Sequence, residues 1–273
     1  MSHPLSIEIV GQLQRVATEE KRRVLSRFFK TGRGQYGEGD RFLGVPVPLV
    51  RAVVKRYREA PLAVVDELLS SVWHECRLCA LLILVDQYRR AESVLRKDGK
   101  KSRQSLSPER RTLPGMAAEA TPPETYVQFY LAHTAAINNW DLVDLSAPYL
   151  LGDYLLTRPR DLLYTLSCRP HLWEQRIAMV ATLGLIRAGD CRDALRLAAY
   201  FAAPARRPLH DLLQKAAGWM LREVGKRDRD ALVDFLEEHA ATMPRTMLRY
   251  AIEKMSADER RRWMSLGSPR GGR

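Results

Sequence analysis

The chain has 273 residues, with 44 Lys and Arg against 32 Asp and Glu, a formal net charge of +12, and a hydrophobic fraction of 46%. That hydrophobicity excludes wholesale disorder, and the lack of any run of about 18 apolar residues excludes a membrane-spanning helix. The surplus of positive charge favours a polyanionic partner (nucleic acid, an anionic membrane surface or an acidic protein) over a basic surface that serves solubility alone. Four cysteines are too few for a disulfide framework. With no charged-then-apolar leader in MSHPLSIEIV, a reducing, cytoplasmic setting is expected.

Helical periodicity dominates the chain in order. Residues 5–30 read as one or two amphipathic helices, with Ser6 as a candidate N-cap. Residues 31–45 form a Gly-rich connector. The stretches 47–58 and 61–71 predict short helices and 73–91 a longer one. The segment 98–123 is rich in Ser, Pro, Gly and basic residues, which predicts a surface loop or linker. Helical pattern resumes at 124 and runs to about 265, ahead of a tail over 267–273 expected to be disordered. No strand is predicted, because period-two alternation is nowhere sustained.

A repeat underlies this pattern. Arg77, Arg176, Lys215 and Arg249 each precede a small residue and an apolar stretch, and Trp73 and Trp173 stand just before two of them. A period of about 35–45 residues, built of helix pairs, predicts a HEAT- or armadillo-like solenoid. The expectation is therefore an all-α fold: one domain over 1–266 of stacked antiparallel helix pairs with a concave basic face.

Two segments carry candidate chemistry. On a helix over 215–226, Lys215, Trp219, Arg222 and Lys226 fall in one narrow stripe, opposite Leu213, Ala217, Met220 and Val224. The stripe reads either as an aromatic platform among bases, suited to a nucleic-acid backbone, or as Trp219 packed under a neighbouring helix while the bases snorkel. In Asn138–Asp144, the asparagines are candidate N-caps, and Trp140 and Asp144 share a helix face at i, i+4. Asp144 sits among apolar residues and must find a partner or a task. Arg176, opening an otherwise apolar helix, is the candidate partner if the role is structural. His74, Cys76 and Cys79 lack a second ligand pair and read as core thiols beside an ordinary histidine, so no metal is expected. The glycines at 32, 34, 37 and 39 have no following Gly-Lys-Ser/Thr and form no P-loop.

Four strings, in order, resemble the AlkD-like DNA alkylation repair family of HEAT-like-repeat DNA glycosylases. They are YGEGDRFLGVPVPLVR at 36–51, NNWDLVDLSAPYLLGDYL at 138–155, LWEQRIAMVATL at 172–183 and QKAAGWMLREVGK at 214–226, and the resemblance covers roughly residues 10–255. It implies that Asp144 is the catalytic carboxylate, with Trp140 and Trp219 as walls of the site. It implies that Arg176 and Arg222 contact the DNA backbone; the basic stripe itself predicts that Lys215 and Lys226 join them. Tyr36 would line the same cleft. The implied activity is excision of cationic N3- and N7-alkylated purines from duplex DNA by a cofactor-free monomer. A cationic alkylpurine is already a good leaving group, so one carboxylate, which stabilises an oxocarbenium-like sugar and positions water, replaces the usual pair. The alternative is a non-catalytic helical module that binds nucleic acid or protein.

Overall fold

The computed structural model describes residues 3–104 and 121–266. Within them lie fourteen α-helices and no strand, apart from one isolated bridge between Arg41 and Trp73. The predicted 5–30 region is two helices, α1 (Pro4–Arg15) and α2 (Glu19–Phe28). The cap of α1 is His3 rather than Ser6: the His3 ring accepts the Leu5 amide, while the Ser6 hydroxyl binds Glu67 and the His3 carbonyl. Pro4 at the first helical position moves the start upstream, because its ring pre-sets helical φ and it needs no amide partner.

Next come α3 (Val47–Tyr57), α4 (Leu62–Leu69) and α5 (His74–Gln104). The predicted loop therefore begins later than its composition suggests. Residues 98–104 continue α5, because Lys, Arg, Ser and Gln tolerate a helix and a single interior Gly99 costs only about 1 kcal/mol. The part of the loop over 105–120 and the tail over 267–273 lie outside the described residues. After them run α6 (Pro123–Ala132), α7 (Trp140–Asp144), a π-helical turn (Pro148–Gly152), α8 (Asp161–Cys168), α9 (Leu172–Arg187), α10 (Arg192–Ala202), α11 (Asp211–Arg227), α12 (Arg229–His239), α13 (Arg245–Ala251) and α14 (Ala257–Ser265).

The chain forms two compact units, the first ending at Leu142 and the second beginning at Val143. In the first, α5 packs against α3, α4 and α6, and its residues Cys76 to Leu84 are almost wholly buried. In the second, α9 is buried on every side from Ile177 to Ile186 and holds the centre, packed by α8, the π-helical turn, α10 and α11. From there α11 packs on α9 and α13 on α11, with α10 and α12 alongside. The repeat bases keep phase with this order. Arg77 is the fourth residue of α5, and Arg176, Lys215 and Arg249 are each the fifth of α9, α11 and α13.

Two glycines set how closely the second unit closes on α9. The π-helical turn presses Gly152 onto α9 at Gly184, where a Cβ on Gly184 would stand 2.7 Å from the Gly152 carbonyl carbon. No side chain fits between two backbones so placed. Gly184→Ala is expected to lower stability by about 1–3 kcal/mol through overpacking. Urea unfolding of the two proteins measures it, and an unchanged midpoint would contradict this seating.

Candidate functional site

The second unit holds a carboxylate supported by a buried arginine. Asp144 ends α7, and Arg176 sits one turn into α9. The guanidinium grips both oxygens, with Nε to Oδ1 at 3.1 Å and Nη2 to Oδ2 at 2.9 Å. Its remaining Nη1 donates to the Leu212 carbonyl in the first turn of α11 at 2.5 Å. A planar fork of this kind fixes the carboxylate plane as well as its charge. Arg176 is only 5% exposed, whereas the Asp144 side chain is 16% exposed. With its donors committed to Asp144 and Leu212, Arg176 is a support within the fold rather than a guanidinium free for a DNA phosphate.

On α11, Lys215, Trp219, Arg222 and Lys226 do lie on one face, but each base has a carboxylate. Lys215 pairs with Asp211 at 2.6 Å, Lys226 with Glu223 at 2.7 Å and Arg222 with Glu253. Trp219 is half-buried, and its indole N–H donates to Glu223 at 3.1 Å. Trp219 thus stands beside an acid as well as beside bases, and the charge of the stripe is balanced inside the protein. Beside it, Gly218 allows close approach of α13, since a side chain there would strike the Met247 carbonyl and Tyr250.

The first unit holds Trp140 and Tyr36. Trp140 is half-buried, stacked on Phe29 at 5.2 Å and edge-on to the exposed Phe28 at 5.8 Å. Tyr36 is half-buried too, its hydroxyl 3.5 Å from the Phe28 carbonyl and the Lys30 ammonium 6.0 Å from its ring. Behind Trp140 lies a buried polar cluster that the sequence reading passed over. His74 is no ordinary histidine. Its Nδ1 is 2.9 Å from Asp40 and its Nε2 2.8 Å from Asp141. Asp40 also pairs with Arg77 and accepts the Asn139 amide at 3.1 Å, while Asn139 Oδ1 accepts the Trp140 N–H at 2.9 Å. The partners are separated by 34, 67 and 99 residues, so no local spacing could have joined them. The neighbouring thiols are core groups, with burial pushing Cys76 up to about 11 and Cys79 higher.

Charge decides the protonation of this cluster. Burial alone would push His74 down, but the charges and hydrogen bonds of Asp141 and Asp40 outweigh it and raise the imidazole from 6.5 to about 9. Burial would raise Asp40, yet His74, Arg77 and Asn139 hold it below its ordinary range. Two cations and two anions then balance away from water.

A family model described as DNA alkylation repair enzyme matches residues 9–255. A solved structure, described as a predicted DNA alkylation repair enzyme from Enterococcus faecalis, superposes with a TM-score of 0.62 at 16% identity, covering 88% of this chain and 97% of that one. At that identity the likeness speaks for a shared fold. No curated protein matches the chain.

The His74 shift carries a stability prediction. A group whose folded pKa is raised contributes fully below its unfolded value and loses that contribution as pH climbs through the folded one. Stability should therefore fall between pH 6.5 and about 9, by on the order of 3 kcal/mol. Urea unfolding across that window should show the decline in the wild type and lose most of it in His74→Gln.

Proposed function

The chain belongs to the DNA alkylation repair enzyme family, and from that premise we propose that it is a DNA glycosylase that releases cationic N3- and N7-alkylated purines from duplex DNA. Its helix pairs are read as HEAT-like repeats within a single repeat domain. What supports this is nearest-neighbour packing along α9, α11 and α13, with the repeat bases in register.

One observation carries the catalytic role of Asp144. Among the described residues two arginines are buried, Arg77 and Arg176; each pairs with an aspartate, and the two aspartates differ in exposure. Asp40 is 1% exposed against 7% for Arg77, which is a closed structural pair. Asp144 is 16% exposed against 5% for Arg176. The arginine is the buried member, and the carboxylate is the one presented. Arg176 holds Asp144 fixed in plane while one edge meets solvent. That suits a group that must meet positive charge developing on a sugar as a cationic base departs. The leaving group needs no proton, so no second acid is required. Trp140 and Trp219 are proposed to hold the lesion nucleotide by face contacts, each worth about 1–2 kcal/mol when desolvated.

The basic stripe is proposed to grip phosphates by exchanging internal carboxylates for DNA. Because Asp211, Glu223 and Glu253 must be displaced or share their cations, the gain per base is smaller than for a free cation. Affinity for undamaged duplex should still fall linearly in log–log against salt, with a slope of about −0.9 per phosphate neutralised. Arg222→Ala should make the slope shallower by roughly one phosphate or less. An unchanged slope and affinity would remove Arg222 from the interface.

Asp144→Asn tests the chemistry. Release of 7-methylguanine should fall by about 10²–10³-fold, while DNA binding persists. The variant also leaves the Arg176 charge less compensated, so stability should drop, by less than the roughly 3–5 kcal/mol typical of a fully buried pair. The double variant Asp144→Asn, Arg176→Gln separates the two effects. It should regain stability without regaining release. Recovery of both together would mean that Asp144 is structural and that another group carries the chemistry, whereas a wild type that binds duplex but releases no base would be a binding module rather than a glycosylase.

A further inference from the structure

The buried cluster behind Trp140 forms a closed circuit around the start of α7. One arm runs from Asp40 through His74 to the Asp141 carboxylate, at 2.9 and 2.8 Å. The other runs from Asp40 through the Asn139 amide to the Trp140 N–H, at 3.1 and 2.9 Å. Both arms end on consecutive residues of one helical turn. The circuit lies beneath an aromatic stack. The His74 ring lies on Phe42 at 4.4 Å and near Phe29 at 5.1 Å, and Phe29 in turn stacks on Trp140 at 5.2 Å. The indole is thus held at its backbone by the circuit and at its face by rings that share the circuit's histidine.

The circuit is electrically closed as well. The charged groups around His74 are Asp40 from the connector, Asp141 from α7, and Arg77 and Glu75 from its own helix. Glu75 is turned away, its oxygens taking the amides of Leu43, Gly44 and Val45 at 2.8–3.0 Å. Arg77 is committed to Asp40. Asp141 therefore depends on His74: among the described residues its Oδ1 is buried without a hydrogen-bond partner, and its Oδ2 has only the imidazole. Remove the imidazolium proton and Asp141 is a buried anion with no cation, an arrangement that must rearrange or take up water.

We infer that Asp40, His74 and Asp141 are positioning residues for Trp140, a buried charged circuit that fixes the first turn of α7 so that the indole presents a set face to the lesion nucleotide. The inference rests on the glycosylase reading for its effect on rate. It does not rest on it for its effect on the indole. Loss of the His74 proton loosens the turn, and Trp140 moves.

The test uses the full chain without DNA first. Tryptophan fluorescence should show a transition near pH 9 in the wild type that is absent in Trp140→Phe. In Asp141→Asn the midpoint should move to lower pH, since one of the two anions that favour the imidazolium is gone. Single-turnover release of 7-methylguanine should fall by about 10–100-fold through the same transition, as expected for a misplaced contact residue, while affinity for undamaged duplex, which Trp140 does not grip, stays within about twofold. A merely structural cluster would change the unfolding midpoint without tying a Trp140 signal to a midpoint that moves with Asp141. A wild type with no Trp140 transition, or one that Asp141→Asn leaves in place, overturns the inference, and the wild-type titration decides even if the variant fails to fold. A transition that moves as stated in a protein that releases no base supports the circuit and overturns the glycosylase reading alone.

Discussion

An arginine buried one turn into an apolar helix demands a carboxylate, and much of this structure is arranged around meeting that demand twice. α5 carries Arg77 and α9 carries Arg176, each within a run of almost fully buried residues. A lone guanidinium there would be prohibitive, so each helix fixes where an aspartate from elsewhere in the chain must come. Asp40 is drawn in from the Gly-rich connector and Asp144 from the end of α7. The chain path around each pair follows. Glu75 ties down residues 43–45 beside one, and the Leu212 carbonyl docks the start of α11 onto the other.

The same demand explains why so strongly basic a chain exposes less free charge than its composition suggests. Arg77 and Arg176 are consumed in the interior, and the α11 stripe is matched by Asp211, Glu223 and Glu253. Net charge still steers a polyanion toward the protein at long range. At contact, however, a phosphate meets paired cations and competes for them. Such a surface favours weak, mobile, salt-sensitive association with a polyanion over tight docking.

Much of the fold was legible because helix periodicity, the repeat spacing and the Pro and Gly punctuation are local signals. The helices from 47 to 71 and the all-α class follow from them directly, and the repeat bases take equivalent places at the starts of α5, α9, α11 and α13. The end of α5 was missed because composition alone does not break a helix. The partnership of Asp144 with Arg176 was legible as one of two roles, since a lone acid and a lone base in apolar strings each require an opposite charge. The His74 circuit was not legible. His74 neighbours two cysteines in sequence, which draws attention to metal chemistry, while its true partners come from segments that only folding brings together.

The two pairs also show how one interaction serves two ends by a difference in covering. A salt bridge that fixes an aspartate in place also lessens the negative potential the aspartate can offer, because the arginine lies 2.9–3.1 Å from its oxygens. A carboxylate so attenuated is a poor general base, but it need not be one. For a departing cationic base, the requirement is an anion at a fixed place that stays charged as positive charge moves from the base onto the sugar. Fixity matters more than basicity, and the fork supplies fixity. What the pair gives up in charge it regains by desolvation, since a partly enclosed carboxylate acts through a lower dielectric than a free one. Enclose it fully, as Asp40 is enclosed, and no sugar can reach it. Expose it fully, and water screens it and its rotamers wander. The 16% exposure of Asp144 over a 5% exposed arginine lies between these limits, and that intermediate covering, rather than the presence of an aspartate, is what the proposed role of Asp144 rests on.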